Sequence, residues 1–277
     1  MMKKIILILL AVAASLAGRA MEQVDTITVS TSRIASPARC VVAVPDSYMD
    51  QADTTHYPVV YLLHGFGDDH RYYASKTPLD ELATQYGVII VCPDGRKSWY
   101  WDSPLQSDLH MESYITCDLV PTVDRLYRTI ARPSSRAING LSMGGHGALW
   151  LAMRHPDLWG NAASMSGGVD ITRPKFHKKW AMSKSLGAYE SHPTRWKQHS
   201  VKYLAETLPA DTLRQVNMMV MCGTEDFFYT VNCDLDAVMN TRKIPHTYVT
   251  GPGNHSWAYW KDALVAIMEF FDRNLAR

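Results

Sequence analysis

The 277-residue sequence predicts an α/β fold: a mostly parallel, eight-stranded sheet with helices on both faces and an insertion between the sixth and seventh strands. Two observations predict it. Apolar runs of strand length alternate with helical patterns along most of the chain, which is the rhythm of strand–helix–strand crossovers. The central runs, such as Val59–Leu63 and Val88–Cys92, are continuously apolar, as strands covered on both faces must be. Composition permits the core that this needs, with 47% of residues hydrophobic and 20% charged, and a chain of this length fits one domain.

The elements follow in order. Met1-Met2-Lys3-Lys4 is a basic start, Ile5 to Ala17 is apolar, and Gly18-Arg19-Ala20 supplies small residues before a possible cut. This layout is expected to be a signal peptide over residues 1–20, cleaved after Ala17 or Ala20, too short and wrongly flanked for a membrane anchor. Residues 21–277 would then be a single mature domain, periplasmic or secreted. Losing Lys3, Lys4 and Arg19 with the leader takes the formal charge from +1 to −2, which leaves no electrostatic footprint for nucleic acid or an anionic membrane.

Thr26–Ser32 alternates polar and apolar and Arg39–Pro45 follows, an antiparallel start to the sheet. The remaining strands are predicted at Val59–Leu63, Val88–Cys92, Ala137–Asn139, Ala162–Met165, Met218–Cys222 and Thr247–Thr250. A first helix is expected with Thr77 as N-cap, Pro78 at its first position and Gly87 at its end. A second starts near Thr116, turning Leu119, Val123 and Leu126 to the sheet with Pro121 in its first turn. A third runs over Gly144–His155 and is stopped by Pro156. The last, about Trp257 to Leu275, groups Leu264, Ile267, Met268 and Phe271 on one side. Residues 170–213 break the rhythm. They carry Lys175, Lys178, Lys179, Trp180, Arg195 and Trp196, and are expected to form a cap-like insertion over one end of the sheet, its charges more a solvated face than a binding patch. The five cysteines show neither CxxC nor zinc-type spacing, so no metal site is expected. Cys40, Cys92 and Cys222 fall in strand runs and read as buried thiols, and a Cys117–Cys233 bridge is neither required nor forbidden.

Gly140-Leu141-Ser142-Met143-Gly144 matches G-x-S-x-G between a predicted strand and a predicted helix. That context raises a serine hydroxyl on a strained turn at the strand's C-terminal end. A serine hydroxyl needs a base, and the base needs an orienting acid. Beyond the strand ending at Cys222 stands Gly223-Thr224-Glu225-Asp226, and beyond that ending near Thr250 stands Gly253-Asn254-His255-Ser256. Both are strand-end loops, where open α/β sheets build their sites. Ser142 is thus the candidate nucleophile, Asp226 the acid with adjacent Glu225 as its rival, and His255 the base. His146 is too near Ser142 in sequence to serve, and His64 is read as structural. Backbone amides of Met143 and of Phe66, in His64-Gly65-Phe66-Gly67, would form the oxyanion hole. The aromatic stretch containing Trp99 and Tyr100 either folds into the core or, with Trp257, walls a substrate pocket.

His64-Gly65-Phe66-Gly67, Pro93-Asp94-Gly95, Ser98-Trp99-Tyr100, Gly140-Leu141-Ser142-Met143-Gly144-Gly145, Gly223-Thr224-Glu225-Asp226 and Gly253-Asn254-His255-Ser256-Trp257 together resemble the esterase D-like family of α/β-hydrolases. The resemblance runs from about residue 25 to 275 and lies close to tributyrin-type esterases and to feruloyl and acetylxylan esterases of carbohydrate esterase family 1. It implies the α/β-hydrolase fold, the triad Ser142, Asp226 and His255, and no cofactor. It also implies a small-molecule or carbohydrate ester as substrate, with hydrolysis of acyl or feruloyl esters the expected reaction. With an export signal, it favours carbohydrate-associated esterases over a cytosolic glutathione thioesterase. The alternatives are an acyltransferase of the mycolyltransferase type, a serine peptidase, and a non-catalytic carbohydrate-binding protein on the same scaffold.

Overall fold

In this structure, a computed structural model, residues 22–50, 52 and 54–277 are described, so the expected leader over residues 1–20 lies outside the described residues. The strands are β1 (Val24–Val29), β2 (Ala38–Ala43), β3 (Val59–Leu63), β4 (Ile89–Pro93), β5 (Arg136–Leu141), β6 (Asn161–Met165), β7 (Asn217–Gly223) and β8 (Thr247–Gly251). They form one sheet in the order β1-β2-β4-β3-β5-β6-β7-β8. β1 and β2 pair antiparallel, β2 joins β4 antiparallel, and every pairing from β4 to β8 is parallel. This is the expected eight-stranded α/β-hydrolase sheet, open at both edges.

The helices are α1 (Leu79–Tyr86), α2 (Met111–Tyr114), α3 (Val120–Leu126), α4 (Met143–Arg154), α5 (Met182–Leu186), α6 (Pro193–Gln198), α7 (Val201–Thr207), α8 (Ala210–Leu213), α9 (Tyr229–Thr241) and α10 (Trp257–Asn274). Alternate residues of each buried strand feed opposite faces, the period-two consequence of the pleat. Val59, Tyr61 and Leu63 join one core with α4, α9 and the insertion, whereas Val60 and Leu62 join the other with α1 and α10. Leu264, Ile267, Met268 and Phe271 of α10 are all in that second core, as their spacing predicts.

Two local expectations shift. Pro78, not Thr77, takes the N-cap position of α1. Gly87 does close that helix, at φ 55° with its N–H on the Ala83 and Thr84 carbonyls. The second helical stretch begins at Met111 rather than Thr116, and a π turn (Ile115–Leu119) separates α2 from α3. The Val120 N–H reaches back to the Ile115 carbonyl there. Widening the helix before Pro121 accommodates a residue that has no N–H to donate and whose ring crowds the preceding turn. All five cysteines are free thiols, Cys117 exposed on the π turn and Cys233 on α9 with its sulfur 3.4 Å from the Tyr248 hydroxyl.

The stretch 170–213 contributes α5 to α8 and packs Phe176, Leu186, Trp196, Val201 and Leu213 into the same core as α4 and the sheet. Ion pairing of Arg173 with Asp234 of α9 ties its first segment to the β7–β8 crossover.

Candidate active site

β5 runs straight into α4 through Ser142, whose backbone adopts φ 57° and ψ −115°. A β-carbon in the left-handed half of the map costs on the order of 1–3 kcal/mol, so such a conformer persists only where its surroundings impose it. They do. The Ser142 N–H donates to the Met165 carbonyl at 2.9 Å, and its carbonyl accepts from the amides of His146 and Gly168. The helix also crosses very close to its neighbours: a β-carbon at Gly144 would sit 2.1 Å from the Leu63 carbonyl oxygen, and one at Gly140 would sit 2.3 Å from the Gly144 backbone. These two glycines permit the reversal that lifts the hydroxyl.

The β7–α9 and β8–α10 loops bring the other two residues to it. His255 Nε2 lies 2.9 Å from Ser142 Oγ, and His255 Nδ1 lies 2.8 Å from Asp226 Oδ2. A carboxylate there accepts from Nδ1–H, which leaves Nε2 as the acceptor of the serine proton. Asp226 is held by its second oxygen, which accepts from the Phe228 N–H at 2.8 Å, and its carboxylate is fully buried. The loops are stitched together by the amides of Thr224 and Glu225, which donate to the Gly251 and Gly253 carbonyls. Behind His255 stands Trp260, edge-on at 4.9 Å, its indole N–H donating to Ser166 Oγ at 3.0 Å. A hydroxyl, an imidazole and a carboxylate in this chain of hydrogen bonds can move one proton and stabilise the resulting imidazolium.

The other expected site residues are placed unequally. Met143 is the first residue of α4, so its amide has no acceptor within the helix. The β3–α1 loop presses on the elbow: a β-carbon at Gly65 would lie 3.7 Å from the Ser142 β-carbon and 3.2 Å from Asp68 Oδ2. Half-buried Phe66 follows directly. His64 is buried, donates from Nδ1 to the Gly65 carbonyl at 2.7 Å and accepts from the Gly95 amide at 2.8 Å on Nε2. Both nitrogens are committed to holding the loop, the structural role read for it. His146 is buried under the elbow with Nδ1 3.1 Å from the Gly168 carbonyl, and burial pushes its imidazole down to about 3.

Trp99 and Tyr100 correct the pocket-wall expectation. They are 2% and 0% exposed, so their rings are core and not wall. The Tyr100 hydroxyl donates to the His64 carbonyl at 3.1 Å, and Trp99 packs on Trp101 and His146. Trp257 is half-buried in the first turn of α10, edge-on to Tyr72 and Tyr73. Two aromatic residues outside that expected wall reach the site instead. Phe227, directly after Asp226, lies with its ring 4.2 Å from the His255 ring and is 43% exposed. Half-buried Trp180 of the insertion lies 6.1 Å from Phe227, within 23° of parallel. Adjacency to the acid was the available signal for Phe227; for Trp180 it was membership of the insertion expected over one end of the sheet. On the side of the β3–α1 loop, a cavity of about 550 Å³ is lined by Asp68, Lys97, Gln106, Lys184 and Ser185 among others. Burial raises the Asp68 carboxyl above its ordinary range.

Comparison with known proteins gives three informative likenesses. An esterase of Mycobacterium tuberculosis is 33% identical over 136 residues, 48% of this chain and 29% of its own, so the chain spans under a third of that relative. The acetyl esterase of Caldicellulosiruptor saccharolyticus is 21% identical over 242 residues, covering 83% of this chain and 89% of its own. Among solved structures, a ferulic acid esterase superposes with a TM-score of 0.79 at 25% identity, covering 91% of this chain and 98% of that one. A family model described as Putative esterase matches residues 31–271, nearly the whole described structure, and the chain belongs to that family.

Proposed function

We propose that this protein is an exported serine carboxylesterase, and the observation that carries the reading is the hydrogen-bonded series Ser142–His255–Asp226 at the elbow. Ser142 Oγ attacks the ester carbonyl carbon as His255 Nε2 takes its proton, and Asp226 holds the imidazole in the required tautomer. The tetrahedral oxyanion is met by the amides of Met143 and Phe66, each worth roughly 3–4 kcal/mol in the transition state. The carbon–oxygen bond to the alcohol then breaks, the alcohol leaving with the proton from His255. Water, deprotonated by His255, attacks the acyl-enzyme and releases the acid and free Ser142. Likeness to an acetyl esterase and to a ferulic acid esterase supports an acyl or feruloyl ester on carbohydrate as substrate. Export rests on the leader pattern of residues 1–20.

Ser142→Ala removes the nucleophile and leaves the rest of the site standing. It is expected to lower kcat on a short-chain ester by something on the order of 10⁶. Steady-state assays of the purified variant against wild type read this out, and near wild-type turnover by Ser142→Ala would end the proposal.

A further inference from the structure

We propose that Phe227, backed by Trp180, is the residue pair that selects an aromatic acyl group; this rests on the reading of Ser142, His255 and Asp226 as hydrolytic machinery. A phenylalanine with 43% of its surface exposed, lying 4.2 Å from the His255 ring, is an apolar face turned to solvent where the scissile bond must lie. The loop that carries it is well held. Its neighbour Phe228 is fully buried, and Lys175 Nζ donates to the Phe227 carbonyl at 2.9 Å. Trp180 is fixed in turn by Phe176 and Phe228 at 5.5 and 5.4 Å and by Trp99 edge-on at 5.6 Å. Trp180 and Ala181 both have positive φ, 53° and 51°, so the chain reverses sharply after presenting the indole. Trp180 stacks against Phe227 within 23° of parallel, so the indole backs the exposed phenyl ring, which is the surface left for offset stacking of a planar ring.

The other side of the site carries charged groups. The cavity beside the β3–α1 loop offers the carboxylate of Asp68, the ammonium groups of Lys97 and Lys184, and the Gln106 amide, whose oxygen accepts from Ser185 Oγ at 2.9 Å. Asp68 Oδ2 and the Ser142 β-carbon lie 3.2 and 3.7 Å from one point over Gly65, so Asp68, which lines this cavity, stands beside the nucleophile. An ester has two halves. A hydroxylated alcohol is matched by the carboxylate, ammonium and amide groups of that cavity, and the exposed Phe227 ring is left for the acyl group. Ala181 lines that cavity while Trp180 faces Phe227, so one turn of the insertion borders both halves.

The test compares methyl cinnamate with methyl butyrate, which share an alcohol, on wild type, Phe227→Ala, Phe227→Leu and Trp180→Ala. Fluorophosphonate labelling reports an intact Ser142 in each. Leucine keeps an apolar side chain but not a stacking face, and so covers the case in which alanine fails to fold. The ratio of kcat/KM for cinnamate over butyrate is expected to fall about tenfold in every variant, equivalent to about 1.4 kcal/mol. A ratio that stays within about threefold of wild type in labelled variants overturns the inference. So does a loss confined to esters with an aromatic alcohol, read with benzyl acetate against ethyl acetate. Wild type that is neither labelled nor active on any of these esters overturns the hydrolytic reading itself.

Discussion

Asp226 and Glu225 are sequence neighbours of like chemistry, and burial alone separates them. The Asp226 carboxylate is fully covered and bonded to His255 and to the Phe228 amide, whereas Glu225 points to solvent. His64 and His146 differ from His255 in the same way, because backbone partners and packing have already claimed their rings. His146 carries a consequence for stability. Burial holds its imidazole at about 3, opposed only in part by the Gly168 carbonyl, while an unfolded histidine titrates near 6.5. The unfolded chain therefore takes up this proton first as pH falls. The contribution is complete above about pH 6.5 and is lost progressively toward pH 3, at about 1.4 kcal/mol per pH unit. Urea unfolding at pH 7 and pH 5 should show His146→Phe losing about 2 kcal/mol less than wild type between the two. Equal losses would remove His146 as a source of acid sensitivity.

Among the elements, α1 and the α2–α3 stretch show what terminates a helix and what merely bends one. Gly87 ends α1 in the left-handed conformation, at φ 55° and ψ 47°, and a β-carbon there would also come within 3.2 Å of the Arg277 guanidinium. That side chain is long enough to move, so the expected cost of Gly87→Ala is the backbone cost, about 1–2 kcal/mol. A chain of this size then loses roughly 2–8 °C in Tm. Differential scanning calorimetry would register this, with esterase activity at 25 °C kept because α1 packs on the face opposite α4. An unchanged Tm would mean that the turn relaxes. Pro121, by contrast, does not stop its helix: the π turn before it lets the chain continue. Sequence periodicity therefore located the face of this helix correctly and its start five residues late.

For the whole molecule, the insertion raises the question of cooperativity. Trp196 is fully buried, its indole N–H donates to the Gly187 carbonyl, and it shares a contiguous core with α4 and the sheet. Stretches that share one core lose their packing together. The described residues are therefore expected to unfold in a single transition, with tryptophan fluorescence and far-UV circular dichroism giving coincident urea curves. An early fluorescence change that leaves the circular dichroism signal intact would mark the insertion as an independent unit.

The strand–helix alternation and the apolar central strands determined the sheet and its eight members, while the elbow and the strand-end loops picked out Ser142 and His255 and left Asp226 with Glu225 as its rival. Those signals are local: hydrophobic period, helix ends and glycine-flanked turns are written in neighbouring residues. What only the tertiary structure decided was which aromatic rings face the core and which face the site. Trp99 and Tyr100 share a motif with catalytic loops yet are sealed beneath the elbow, while Phe227 and Trp180, 47 residues apart, meet beside His255. A ring's burial is set by what packs over it from distant segments, and no period or spacing along the chain records that.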